Sequence, residues 1–463
     1  MAQTPLGTVS ISTWPGSDQA ILSLPGEWHP HLRLGTRDRI TIRAGNRRIT
    51  AEAVFTDEQE VQLTDRIRKS LYLPRGTVSV KAQDGELCFG PCIGLYALPS
   101  RDPKKPFGEL TAVFRDQMEI ARREGVLLYV FSPGDADWDS GFTTAYVWQN
   151  NSWQRTKRPL PDLVLPKIMG TPPLWREKMR RDQAQMSRRV PYGTFSLAVG
   201  SKWEVHQTLE KRADTRDLLP DTRLVRSPLD IEDLLRRHTA VYVKPSYGTQ
   251  GRSIYRLEQD PRGIRVQYTA GGQTQNRRMN RGSSVWQSFL TKKFCGRRPF
   301  LVQQALELVK AQGTRPVDFR WLIQKDGQNR WVITARVARV GPRASITTNL
   351  HTGGNAVLAE TFLTQNGYPK EANRRELLQR FDQAAVRIAE ALEQKAGRIG
   401  EIGIDFGLTQ GERIYLIEVN PRPGRQMLKD TSPQTRSLSL RRNLEFAKLV
   451  TGFGKGVDTS EDA

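Results

Sequence analysis

Apolar positions recur at every second residue in short runs through residues 1–92, as in RITIRAGNRRITAEAVF and GTVSVKAQDGELCFG. This alternation, broken by turn formers, predicts strands with one buried face, so 1–92 is expected to be a small β-rich domain with little helix. The pattern changes at about residue 93. IGLYAL predicts a strand, FGELTAVFRDQMEIARRE a helix and VLLYVFSP a further strand, which together make a modest α/β unit. TTAYVWQNNSWQ predicts a hairpin turning on two asparagines, and LPDLVLPKI leads into a basic helical connector ending near 199.

Beyond residue 200 the expected elements are longer. SKWEVHQTLEK predicts a helix, AVYVKPSYGTQGRSIYRL a strand, glycine-rich turn and strand, and FLVQQALEL another strand. VDFRWLIQKDGQNRWVITARVARV predicts two paired strands around Asp326-Gly327. Apolar side chains from Leu377 to Leu392 recur at three- and four-residue steps, which predicts an amphipathic helix over 373–395 with Gly397 as its cap. EIGIDFGLTQGERIYLIEVNPRPG predicts a last strand pair, and the polar end at 451–463 is expected to be disordered.

A chain of 463 residues is too long for one ordinary core, and 37% hydrophobic residues are enough to fill two to four. No apolar run approaches the roughly 18 residues of a spanning helix, and the mean hydropathy is -0.55. MAQTPLGTVS has neither a basic start nor an apolar stretch, so a cytoplasmic protein without a signal peptide is expected. Cys88, Cys92 and Cys295 lack paired spacing and read as free thiols, and the five histidines are dispersed. The balance of 71 Lys and Arg against 49 Asp and Glu gives +22. Such a field attracts polyanions without choosing among them, and for nucleic acid the charge stands alone, with no zinc-finger or RNP signature beside it. Residues 151–200 carry ten of these cations against Asp162, Glu177 and Asp182, as a solvated face or as a docking surface for an acidic partner.

Three clusters could carry chemistry. In IYLIEVN, Glu418 and Asn420 lie two apart and share a strand face; a two-residue Gly411-Glu412 turn would put Asp405 opposite Glu418. Two carboxylates and an amide converging there suit Mg²⁺ with bound phosphate, the alternative being two solvent-facing acids on an edge hairpin. Lys244 ends an apolar strand before a turn in which Gly248 and Gly251 let backbone N–H groups approach phosphate, with Ser246, Thr249 and Ser253 as further donors. It is not a Walker loop, and a plain hairpin would read the same way. Arg336 and Arg339 fall three apart, so one strand turns them to opposite faces, ahead of the SITTNLHTGG segment containing Asn349.

In this order Lys202, Lys244 and its turn, QQALEL, DFR, ITARVARVG, SITTNLHTGG, EIGIDFGL and IEVNPRPG resemble the ATP-grasp superfamily. NLHTGG and EVNPRPG are similar to RimK-like amino-acid ligases and closest to the YheC/YheD endospore coat-associated family. The resemblance implies an α+β fold in which an ATP-grasp core at 200–450, two α+β lobes clamping ATP, follows a β-rich domain at 1–92 and an α/β domain at 93–199. It implies Lys202 and Lys244 on the nucleotide phosphates, with Ser246, Gly248, Thr249 and Gly251 folding over them. Gln303, Gln304, Ala305 and Leu306 would line the adenine pocket, although many relatives carry glutamate where this strand begins with glutamine. Asp318 would meet the ribose. Asp405, Glu418 and Asn420 would hold Mg²⁺, while Arg336 or Arg339, with Asn349, would form the catalytic set.

The activity so implied is ATP-dependent carboxylate-amine ligation through an acylphosphate. Its partners would be an amino acid, a peptide or an acidic polymer, with coat proteins in a sporulation setting. A non-catalytic coat-assembly role is the alternative.

Overall fold

The computed structural model describes residues 3–14, 18–32, 39–168, 170, 172–193, 199–248, 253–270, 273–343, 354–368 and 370–454. These divide into two compact units. The first combines Met1–Leu197, Lys325–Arg330 and Gln434–Ala463, and the second Ala198–Gln324 and Trp331–Pro433.

In the first unit, seven strands from Gln3–Trp14 to Glu86–Gly90 close into a barrel, with Gln3–Trp14 pairing both Val61–Thr64 and Gly76–Gln83. The inward positions of the alternating runs, among them Ile40, Ile42, Val78, Val80 and Phe89, form its core. Next comes a sheet built on the parallel strands Cys92–Tyr96, Leu127–Phe131 and Leu163–Pro166. Its asparagine hairpin forms: Gln149 pairs Ser152, and Asn150 and Asn151 take φ of 49° and 55°, the left-handed pair of a two-residue turn. Helix Leu110–Arg123 buries Phe114 and Met118 against this sheet.

The same core takes Leu440, Leu444, Phe446 and Ala447 from the final helix, Pro433–Val450. The apolar face of that helix completes the first unit, although its sequence lies within the 200–450 expected for the following domain. Just after the helix, the Thr451 carbonyl accepts a bond of 2.7 Å from Lys81, fully buried in the first unit, whose Nζ also donates to the Tyr192 hydroxyl at 2.9 Å. Burial lowers the Lys81 pKa to about 8.

The second unit holds two sheets. One is antiparallel, in the order Thr222–Val225, Phe300–Gln304, Ala240–Pro245, Tyr255–Asp260, Gly263–Ala270 and Gln273–Met279. The other runs Asn355–Leu358, Trp331–Val340, Arg315–Lys325, Glu401–Leu408 and Ile414–Asn420. Helix Glu371–Ala396 packs Leu377, Phe381, Ala385, Ile388 and Leu392 on Phe319, Trp321 and Phe406 of that second sheet, and Gly397 caps it with φ 75°.

Candidate nucleotide and metal site

The hairpin of Glu401–Leu408 with Ile414–Asn420 fixes the acidic residues. Its turn is one residue longer than expected: Thr409 bonds to Arg413 and Glu412 adopts φ 59°, so Leu408 pairs Ile414. On that register alone Asp405 would miss Glu418. A bulge absorbs the difference, because Phe406 pairs Leu416 while Asp405 pairs Glu418, leaving Ile417 as the extra residue. The predicted carboxylate pairing therefore forms, by a route other than the two-residue turn.

Around these acids the structure gathers cations. Arg320 meets Asp405 with both ends of its fork, through Nε to Oδ1 and through Nη2 to Oδ2 at 2.8 Å. Arg339 Nη2 lies 2.9 Å from the same Oδ2. Burial pushes the Asp405 carboxyl up, but the two guanidinium groups outweigh it and hold it below the usual carboxylate range. The Asn420 amide adds a bond of 3.3 Å to Asp405.

Lys202 lies 3.0 Å from Glu418 and donates to the Gly248 carbonyl at 2.7 Å. It opens helix Lys202–Glu210, whose start is set by a capping box: Ser201 Oγ accepts from the Glu204 amide, and the Glu204 carboxylate accepts from the Ser201 amide. The backbone N–H of Lys202 bonds to the Ser246 carbonyl at 3.0 Å, joining this helix to the start of the glycine-rich turn.

Lys244 donates to Gln303 Oε1 at 2.7 Å and to the carbonyl of the bulged Ile417 at 3.2 Å. Burial lowers its pKa to about 8, with Glu418 opposing and Lys202 reinforcing the shift. Gln303 in turn donates to Thr222 Oγ1 at 2.8 Å. Its side chain thus orients Lys244. The chain beyond it, Gln304 to Leu306, runs on with the Gln304 and Ala305 amides bonded to Asp221 and Ala240.

One expectation is corrected. Arg336 reaches Asp382 on the long helix, on the opposite face of its strand from Arg339, so it does not join the acidic cluster. Asp318, the residue expected on a ribose, is 6% exposed and held by both ends of the Arg339 fork at 2.6 and 2.7 Å. Desolvation opposes charge on Arg339, but Asp405 and Asp318 prevail and raise its pKa.

Arg320 is the residue missed. Its signal was DFR, in which Asp318 and Arg320 lie two apart and face the same side of a strand. Thr249, Gly251 and Asn349 lie outside the described residues.

The donors fit a hard cation. Two carboxylates and an amide oxygen supply only oxygen, as Mg²⁺ requires when phosphate oxygens complete its shell. Among the described residues no group of three or more His, Cys, Asp or Glu comes together, so a site here depends on such shared ligands.

A family of sequences described as YheC/D like ATP-grasp matches residues 193–450. Over 407 residues, the chain is 30% identical to the endospore coat-associated protein YheD of Bacillus subtilis (strain 168), with 85% of this chain and 86% of YheD covered. YheC of the same strain is 22% identical over 326 residues, with coverages of 69% and 87%. Among solved structures, the ATP-grasp ligase PsnB complexed with a minimal precursor aligns with a TM-score of 0.45 at 14% identity, over 77% of this chain and 98% of that one.

Proposed function

The chain belongs to the YheC/D-like ATP-grasp family, and on that premise we propose that its second unit binds MgATP and acts as a carboxylate-amine ligase. One observation supports this reading above the others. Asp405, Glu418 and Asn420 converge where Lys202, Lys244, Arg320 and Arg339 meet the same acidic pair or its immediate neighbours. Anions and cations at this density suit a ligand that itself carries both signs.

In this reading Asp405, Glu418 and Asn420 hold Mg²⁺, which when bound neutralises charge on the phosphates. Lys202 and Lys244 take phosphate oxygens, and Arg339 and Arg320 face the charge that develops during transfer. A substrate carboxylate attacks the γ-phosphorus and the bond to ADP breaks, leaving an acylphosphate. An amine then attacks the acyl carbon, phosphate departs, and the amine's surplus proton goes to solvent. Binding and alignment supply most of the acceleration, so no nucleophilic protein side chain is needed.

The coat association in the names of YheD and YheC suggests a peptide or coat component as substrate in a sporulating cell. It also supports a second reading, in which ATP binding is retained for coat assembly without ligation.

Calorimetry is expected to detect MgATP binding that falls at least about tenfold in Lys244→Ala, the loss of a charged hydrogen-bonding group. Unchanged affinity would remove Lys244 from the phosphate site. ADP release requiring both an added carboxylate and an added amine supports ligation; release indifferent to a broad panel of both favours the assembly role.

A further inference from the structure

Helix Arg176–Arg189 is attached to the first unit along one side only. Asp182, 2% exposed, accepts from the Tyr96 hydroxyl at 2.8 Å, the Gly134 amide at 2.9 Å and the Trp138 indole at 3.0 Å. Met186 and Val190 bury beside it. None of those three donors is a cation, so the anchoring carboxylate satisfies neutral groups and neutralises no arginine of its own helix. Arg189 turns back to Asp139 at 3.0 Å, and Lys178 lies over the Trp175 ring.

Arg176, Arg180, Arg181 and Arg188 remain, all exposed and without an acidic partner among the described residues. At 100° per residue Arg176 and Arg180 stack one turn apart, and Arg181 and Arg188 two turns apart. The four make a broad strip roughly 18 Å long, between about 100° and 160° round the helix from Asp182. Glu177 is the one acid on that side. Like charges at this spacing repel, and elsewhere the chain relieves its arginines with acids, as at Arg212 with Asp214 and Arg278 with Asp260. Immediately before the helix, Leu174 is 82% exposed, more than any other large apolar side chain among the described residues.

We propose that this strip and Leu174 form a docking surface for an acidic peptide segment, whose carboxylates pair with the arginine forks while one of its aliphatic side chains covers Leu174. Guanidinium groups match carboxylates in planar two-point contacts. A bare leucine offers nothing to a phosphate backbone, and one face of the neighbouring Trp175 ring is already taken by Lys178. The surface belongs to the first unit and the proposed nucleotide site to the second, so the proposal stands whether or not that site ligates.

The test uses the full chain and fluorescence anisotropy with a dye-labelled peptide of Glu-Glu-Leu repeats. An all-glutamate peptide and an oligothymidylate of equal charge serve as comparisons. The leucine-containing peptide is expected to bind tightest, and more weakly as salt rises. The triple substitution R180Q/R181Q/R188Q should weaken it about tenfold or more. Leu174→Ser, which leaves every arginine in place, should reduce its affinity to that of the all-glutamate peptide. Thermal unfolding and MgATP affinity, read in the same samples, are expected to stay at their wild-type values, so this surface and the nucleotide site are judged separately. Peptide affinity unchanged by the triple substitution would overturn the proposal, as would an oligothymidylate that binds as tightly and is lost with the same arginines.

Discussion

Lys81 carries a pH signature because it is buried with neutral partners, the Tyr192 hydroxyl and the Thr451 carbonyl. Its folded pKa, about 8, lies below its ordinary value of 10.5, so between these values the unfolded chain binds more protons than the folded one. The cost of the buried charge is therefore full below about 8 and is relieved as pH rises toward 10.5. Relative to Lys81→Met, the wild type should gain stability over that interval; denaturant midpoints that differ equally at both ends would refute it.

The proposed nucleotide site carries a second residue-level prediction. Each of its acids is already neutralised, Asp405 by Arg320 and Arg339 and Glu418 by Lys202. A metal alone would strand the cations, and a nucleotide alone would strand the carboxylates. Mg²⁺ and ATP should consequently strengthen each other's binding by the same factor, on the order of tenfold or more, and chelation of the metal should weaken the nucleotide accordingly. Titrations giving independent affinities would refute the exchange.

Much of this cluster was legible because period-two spacing states which side chains share a face, as for Glu418 and Asn420. The assignment of Arg336 was not settled by spacing alone, since Asp382, the acid that captures it, lies 46 residues away on a helix.

At the scale of elements, the bulge in the C-terminal hairpin makes a sharp case. Removing Ile417 would leave Leu416 on Phe406 and Glu418 on Asp405 in an unbroken ladder, so the fold should tolerate the deletion. What disappears is the carbonyl that Lys244 reaches at 3.2 Å. Losing a bond to a charged group costs about 1.5–3 kcal/mol of stability, and a Lys244 held less firmly should also weaken MgATP, by about tenfold or more. Undiminished affinity in calorimetry would assign the bulge to turn geometry alone.

Local elements were readable wherever their signals were local. The helix expected over 373–395 forms over Glu371–Ala396, and the asparagine turn closes its hairpin. The closure of the first seven strands was not readable, because parallel pairs such as Ile11 with Val61 join residues that no short pattern connects.

At the scale of the molecule, calorimetric unfolding should resolve two responses. MgATP should raise only the transition of the second unit, by mass action on the state that binds it. Leu444→Ala, a fully buried truncation in the first unit, should lower the other by about 2–5 kcal/mol and leave nucleotide affinity alone. A single transition moved by both would contradict the partition. That partition was hidden from the sequence, since amphipathic spacing in Pro433–Val450 declares a buried face without saying which core receives it.

The discontinuity of the first unit has a consequence for synthesis. Its core needs Leu440, Leu444 and Phe446, which leave the ribosome after every residue of the second unit has been made. The unit that begins first in translation is therefore the last to be completed. Until then its sheet lacks the helix that covers part of it, and a nascent chain stalled before residue 433 would present that apolar surface to chaperones while the later-starting unit could already be folded.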